Sequence, residues 1–179
     1  MGVEAGDVAN VTLGGTAVAS FATSGVGTGI AVSVTGYSIS GTAATNYSLS
    51  QPAGLTADIT AKGLTISGLT ADNKVYNATT AAILSGTAAI VGVEAGDVAN
   101  VTLGGTAVAS FATAGVGTGI AVSVTGYTIS GSAAANYTVA QPTGLTADIT
   151  AKGLTISGLT ADNKVYNATT AATLSGTAA

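Results

Sequence analysis

The chain repeats itself with a period of 90 residues. Gly2–Thr23 returns unchanged as Gly92–Thr113, and residues 1–89 and 91–179 differ at only ten positions. Most of the exchanges swap one small side chain for another, such as Ser24 for Ala114, Ser38 for Thr128, Thr42 for Ser132 and Leu49 for Val139. A period this long exceeds the roughly 20–45 residues of a solenoid coil and suits a small domain with its own core. Near-identity over such a length implies recent duplication, so the chain is expected to be about two beads of a longer string.

Each unit reads as β. Ile120, Val122 and Val124 alternate with Ala121, Ser123 and Thr125, and alternation resumes at Tyr127 and Ile129. Leu64 and Ile66 alternate with Thr65 and Ser67. Val101 and Leu103 flank Thr102, Tyr137 and Val139 flank Thr138, and Leu145, Ala147 and Ile149 flank Thr146 and Asp148. A period of two marks half-buried strands, and Val and Thr suit a pleated surface. Gly104-Gly105, Gly115 to Gly119, Gly126, Gly131 and Pro142-Thr143-Gly144 punctuate the runs. No stretch holds a 3.6-residue period, and Ala133-Ala134-Ala135 is too short for a helix of note. Short strands at this spacing predict an all-β chain of small Ig-like β-sandwich domains in an extended array, with a β-grasp-like topology as the alternative.

Composition narrows the chemistry. There is no His, Cys or Trp, all four basic residues are Lys, and charged residues are 7% of the chain. A zinc site, a cysteine nucleophile and a Ser-His-Asp relay all lack their residues. A net charge of −4 and a pI near 4.2 argue against nucleic acid and anionic membranes, which select basic surfaces. The mean hydropathy of +0.57 is too high for a disordered chain. Ser, Thr and Gly interrupt every apolar run before it could span a bilayer as a helix. Met1-Gly2-Val3-Glu4 has neither the basic nor the apolar region of a signal peptide.

Two alternating runs meet at Lys152-Gly153, and the same joint occurs at Lys62-Gly63. This reads as the last strand of one domain running into the first strand of the next. The expected boundaries are therefore 1–61, the C-terminal part of one repeat; 62–151, a complete repeat; and 152–179, the N-terminal part of the next. The two partial repeats together make one unit less one residue. They are expected to complement each other between molecules by strand addition, head to tail.

Between Lys62 and Ala151 the unit resembles the YDG-type repeats, related to MBG-type repeats, of large secreted bacterial adhesins of the filamentous-haemagglutinin kind. The resemblance runs through Leu64-Thr65-Ile66-Ser67-Gly68-Leu69, Lys74-Val75-Tyr76-Asn77-Ala78-Thr79-Thr80 and Gly96-Asp97-Val98. It continues through Phe111, Val116 to Gly119, Ile129-Ser130-Gly131, Asn136-Tyr137-Thr138 and Leu145-Thr146-Ala147-Asp148-Ile149. The family carries Asp-Gly where this chain has Asn77-Ala78, and only glycine adopts positive φ readily. The resemblance implies a tandem stalk or spacer of an exported, surface-associated protein working in cell adhesion and biofilm formation, without catalysis or cofactor. Its expected partners are neighbouring repeats or other copies of itself, with a host or matrix ligand in addition. The alternative is an adhesion module that binds glycan or host protein, and a self-assembling extracellular filament is a third reading.

Several residues invite chemistry and have a plainer reading beside it. Glu94 with Asp97, and Asp72 with Asn73, could contribute oxygens to calcium, but two acids per loop is thin and solvated turn acids fit as well. Four acids per unit would allow a paired-carboxylate glycosidase only across a cleft. Lys62 or Lys74 with Asn136 could form an intramolecular amide. Asn10, Asn46, Asn77, Asn100, Asn136 and Asn167 each begin an Asn-x-Ser/Thr triplet, a glycan acceptor only in a host that glycosylates. Gly115 to Gly119 looks like a phosphate loop without its Lys-Ser/Thr ending. Thr-rich faces resemble ice-binding arrays but lack their short period. None of these outweighs its structural reading, so no catalytic, cofactor or metal residue is expected.

Overall fold

The computed structural model describes residues 2–179. The chain is all-β, with several sheets in the manner of a β-sandwich-type fold, and its helices among the described residues are single 3-10 turns at Val8–Asn10, Ala44–Asn46 and Ala134–Asn136. The alanine run at 133–135 thus makes one turn and stops. Nothing here corresponds to the helix on which a β-grasp sheet would pack.

Three strands come from the first sequence repeat: β1 (Thr12–Phe21), β2 (Gly27–Ser40) and β3 (Leu55–Ile59), forming an antiparallel sheet in that order. The next repeat contributes β4 (Lys62–Ala71), β5 (Lys74–Val75), β6 (Ala81–Ala82), β7 (Leu84–Val91), β8 (Thr102–Phe111), β9 (Gly117–Ser130), β10 (Tyr137–Val139) and β11 (Leu145–Thr150). These form a three-stranded sheet ordered β10-β4-β7 and a five-stranded sheet ordered β5-β11-β9-β8-β6. Two pairings are parallel, β10 with β4 and β11 with β5. The short strands β12 (Leu159–Ala161) and β13 (Leu174–Gly176) form a hairpin.

By compactness the chain divides into two units: residues 1–68, 87–107 and 126–142, and residues 69–86, 108–125 and 143–179. Each has one core. In the first, Leu64, Val101, Ala133 and Tyr137 are buried, with Ile90, Val93 and Ile129 packed against them. In the second, Phe111, Val122, Ala147 and Ile149 are buried beside Ala71, Ala82 and Ala109. Removing a side chain such as Leu64 fully from water contributes roughly 1.5–3 kcal/mol.

The alternation in β9 explains the change of core along one strand. Val122 and Val124, at even positions, are buried, while Ile129, at an odd position, packs with Leu64. The phase changes at Gly126, which has φ +94. A Cβ there would stand 2.1 Å from the Thr106 carbonyl oxygen, so only glycine permits this close approach.

The segment after β11 departs from the sequence pattern. Leu154 and Ile156 alternate with polar residues just as Leu64 and Ile66 do, yet residues 151–157 form no strand and Leu154 is 90% exposed. An alternating run becomes a strand only when a neighbour supplies hydrogen-bond partners and a face to cover it. At Leu64 both are present.

Candidate functional site

Charged side chains are only 7% of this protein, and most of them hydrogen-bond to a loop or strand end. The Tyr137 hydroxyl donates to Asp97 Oδ2 at 2.7 Å and accepts the Glu94 N–H at 3.2 Å. Burial first, then the bond to Asp97, raises the Tyr137 pKa above its ordinary value. Glu94 in turn pairs with Lys62. The acids considered for calcium therefore fasten the loop before β8 to β10 and to the start of β4. Among the described residues no three His, Cys, Asp or Glu side chains cluster as a metal site would require.

The other acids behave alike. Asp72 Oδ2 accepts the Ser85 hydroxyl at 2.8 Å, and Asn73 Oδ1 accepts the Asp148 N–H at 2.7 Å. Asp148 Oδ1 accepts the Gly119 N–H at 2.7 Å. That last bond settles the glycine loop: a carboxylate already occupies the donor a phosphate would need, and the loop enters β9 rather than a helix. Gln141 extends an edge by backbone mimicry, its amide accepting the Tyr127 N–H at 3.0 Å and donating to the Tyr127 carbonyl at 2.8 Å.

Lys74 has the densest set of partners. Its ammonium donates to the Thr79 and Ala81 carbonyls at 2.6 and 3.0 Å and to Asn77 Oδ1 at 3.1 Å, and it lies 5.1 Å from the centre of the Phe111 ring. Asn77 Oδ1 also takes the Thr79 N–H at 3.2 Å, the arrangement of an Asx turn. Ala78 inside this turn has φ +62. The turn thus keeps the left-handed conformation that a glycine would favour, although the sequence supplies alanine. The amide considered for Lys62 or Lys74 with Asn136 is not the pairing these side chains make, because Asn136 Oδ1 accepts the Val26 N–H at 2.9 Å. Of the other Asn-x-Ser/Thr residues, Asn100 Oδ1 accepts the Ser132 hydroxyl at 3.2 Å and Asn167 repeats the role of Asn77.

These braces are built twice. Tyr47 bonds Asp7 and Glu4 as Tyr137 bonds Asp97 and Glu94, with its pKa likewise raised, chiefly by burial. Gln51 pairs with Tyr37, Asp58 with Gly29, and Lys164 with Asn167, Thr169 and Ala171. The arrangement can hold loops and strand ends in place.

One apolar feature was not singled out by sequence reasoning. Val3, Val11, Ile39, Tyr47 and Leu49 line an open cleft of about 210 Å³. Each has a counterpart 90 residues later, and four of those counterparts, Val93, Val101, Ile129 and Tyr137, pack around Leu64. The repeat offset was the signal that could have located it. A second apolar cleft, of about 350 Å³, is lined by Tyr76, Val116, Ala151, Lys152 and Leu154.

No helix among the described residues is long and apolar enough to cross a membrane. No curated protein and no solved structure matches the chain. A model of the YDG domain matches residues 1–54 and again 60–144, taking in both sequence repeats, and the chain therefore belongs to the YDG-domain family.

Proposed function

We propose that the chain is a non-catalytic structural repeat, the stalk or spacer of an exported bacterial surface adhesin or extracellular filament. The observation that carries this reading is the duplication of the braces. The same Tyr–Asp, Gln–Tyr, Asp–Gly and Lys–Asn–Thr bonds occur at a 90-residue offset, and each ties a side chain to a loop or strand end. Side chains spent on holding backbone suit a part whose task is length and shape. Family membership and the resemblance to secreted adhesin repeats support the location.

The test is antibody labelling of intact cells of the source organism, followed by protease shaving and mass spectrometry of the released peptides. Surface label and shed repeat peptides are expected. Label that appears only after lysis would overturn the exported stalk. The ligand-binding alternative has one observation in its favour, the exposed Tyr76 ring beside an apolar cleft, where a sugar could stack. Saturable glycan binding abolished by Tyr76→Ala would favour it.

A further inference from the structure

We propose that the outer edge of β7 is an interaction surface for the same edge of a second copy of this chain, the two strands pairing antiparallel about Thr87. The edges of this protein are closed in different ways. The sheets ordered β10-β4-β7 and β5-β11-β9-β8-β6 have β10, β7, β5 and β6 as their outermost strands. Three of these are only two or three residues long: Lys74–Val75, Ala81–Ala82 and Tyr137–Val139. Very short edge strands give another chain little to pair with. Where β9 runs past β11, the Gln141 amide takes both the N–H and the carbonyl of Tyr127. β7 is treated otherwise. It is eight residues long, and β4 is its one neighbour in the sheet among the described residues.

No charge guards this edge. Between Lys74 and Glu94 there is neither a charged residue nor a proline, the residues that commonly keep strand edges apart. Side-chain size is instead arranged symmetrically. Ile83 to Val91 read Ile-Leu-Ser-Gly-Thr-Ala-Ala-Ile-Val: two large, two small, Thr, two small, two large. Antiparallel pairing about Thr87 sets Leu84 opposite Ile90, Ile83 opposite Val91, Gly86 opposite Ala88 and Ser85 opposite Ala89. Residues directly opposite share a face. The half-buried Leu84 and Ile90 thus meet on one face, and Ile83 and Val91, 71% and 49% exposed, cover each other on the other. A slip by one residue would mix the two faces.

The backbone is set for this pairing. The Ile83 carbonyl accepts the Asp72 N–H at 3.0 Å, and the Thr87 carbonyl faces Gly68, so both are turned to β4. Alternate residues turn their peptide groups to opposite sides of a strand, which leaves those of Leu84, Ala88 and Ile90 for a neighbour. Gly86 bends the strand at φ +93, and in this register the bend meets only the methyl of Ala88 of the second copy. An open apolar groove of about 660 Å³ borders the same edge, lined by Ile90, Val91, Val98, Val101 and Leu103. Ile83 and Leu84 of the second copy, opposite Val91 and Ile90, lie at its mouth. Each copy gives and receives the same contacts, so the pair closes on itself as one sheet ordered β10-β4-β7-β7-β4-β10.

This inference does not rest on the stalk reading. Its test is solution mass of the 179-residue chain at pH 7, by light scattering across a concentration series. Mass rising from one chain toward two, and no further, is expected. Thr87 is exposed, so Thr87→Lys and Thr87→Glu should each keep the circular dichroism spectrum of the parent. Either alone sets like charges opposite each other and should stay at single-chain mass, whereas the two mixed in equal amounts should pair. The chain has no cysteine, so Thr87→Cys should oxidise to a two-chain product, and Thr65→Cys, also exposed but on β4, should not. Constant single-chain mass for the parent, growth past two chains, pairing unchanged by Thr87→Lys, or equal cross-linking at positions 65 and 87 would each overturn the proposal. A negative surface-labelling result with pairing intact would remove the stalk reading alone.

Discussion

Ala78 holds a conformation its side chain disfavours. Left-handed φ costs an L-residue about 1–2 kcal/mol, and glycine loses roughly 0.5–1 kcal/mol of that advantage to backbone entropy. Ala78 sits at φ +62 because Asn77 and Lys74 fasten the turn on either side. Ala78→Gly should therefore stabilise the repeat by roughly 0.5–1 kcal/mol, read as a rise in Tm of a few degrees. A lower Tm would mean that the turn geometry is set differently. Tyr47 and Tyr137 make a second prediction. Their pKa values lie above the ordinary 10.0, first through burial. A group with its folded pKa raised contributes stability that is complete below the unfolded value and is lost as pH rises through the folded one. Stability should be level in this respect from neutral pH to about 10 and should then fall. The Tyr47→Phe, Tyr137→Phe double variant should be less stable at pH 7 but have a shallower alkaline decline, measured by urea melts at successive pH values. An undiminished decline would assign it to other groups.

At the scale of the element, identical sequence gives two outcomes. Leu64 lies in a strand with partners on both sides, β10 and β7, and is buried. Leu154, in the same eight-residue sequence, lies outside any strand. Leu64→Ala should cost about 2–5 kcal/mol. Leu154→Ala should change the stability of the single chain by no more than about 0.5 kcal/mol. Chemical denaturation at low protein concentration, where copies are apart, compares the two. Equal losses would show that the segment from 152 to 159 is buried in the single chain. Period-two alternation was enough to place β4, β9, β10 and β11, because their apolar residues face a core. It was not enough at 154–158, nor at 47–49, because a strand is made by its neighbour as much as by its own sequence.

For the whole molecule, the low charge has a direct consequence. A net charge of −4 spread over 179 residues, with a pI near 4.2, leaves little repulsion between copies in mildly acidic solution. Exposed apolar residues such as Val8, Val98 and Ile83, together with unpaired strand edges, then promote association. Turbidity should reach its maximum near pH 4.2 and fall on either side. A flat profile would show that net charge does not govern association.

The 90-residue period, the β class and the scarcity of reactive side chains were all legible in the amino-acid sequence, since each is a property of residue type and order. The acids, Lys74 and Asn136 were legible only as alternatives. Which backbone group each would meet depends on loops brought together from positions such as 73 and 148, or 26 and 136. The cleft at Val3, Val11 and Ile39 was decided by tertiary structure alone. Val3, Val11, Ile39 and Tyr47 have the same identity as Val93, Val101, Ile129 and Tyr137, which pack around Leu64, so residue type alone did not say which of the two sets is covered.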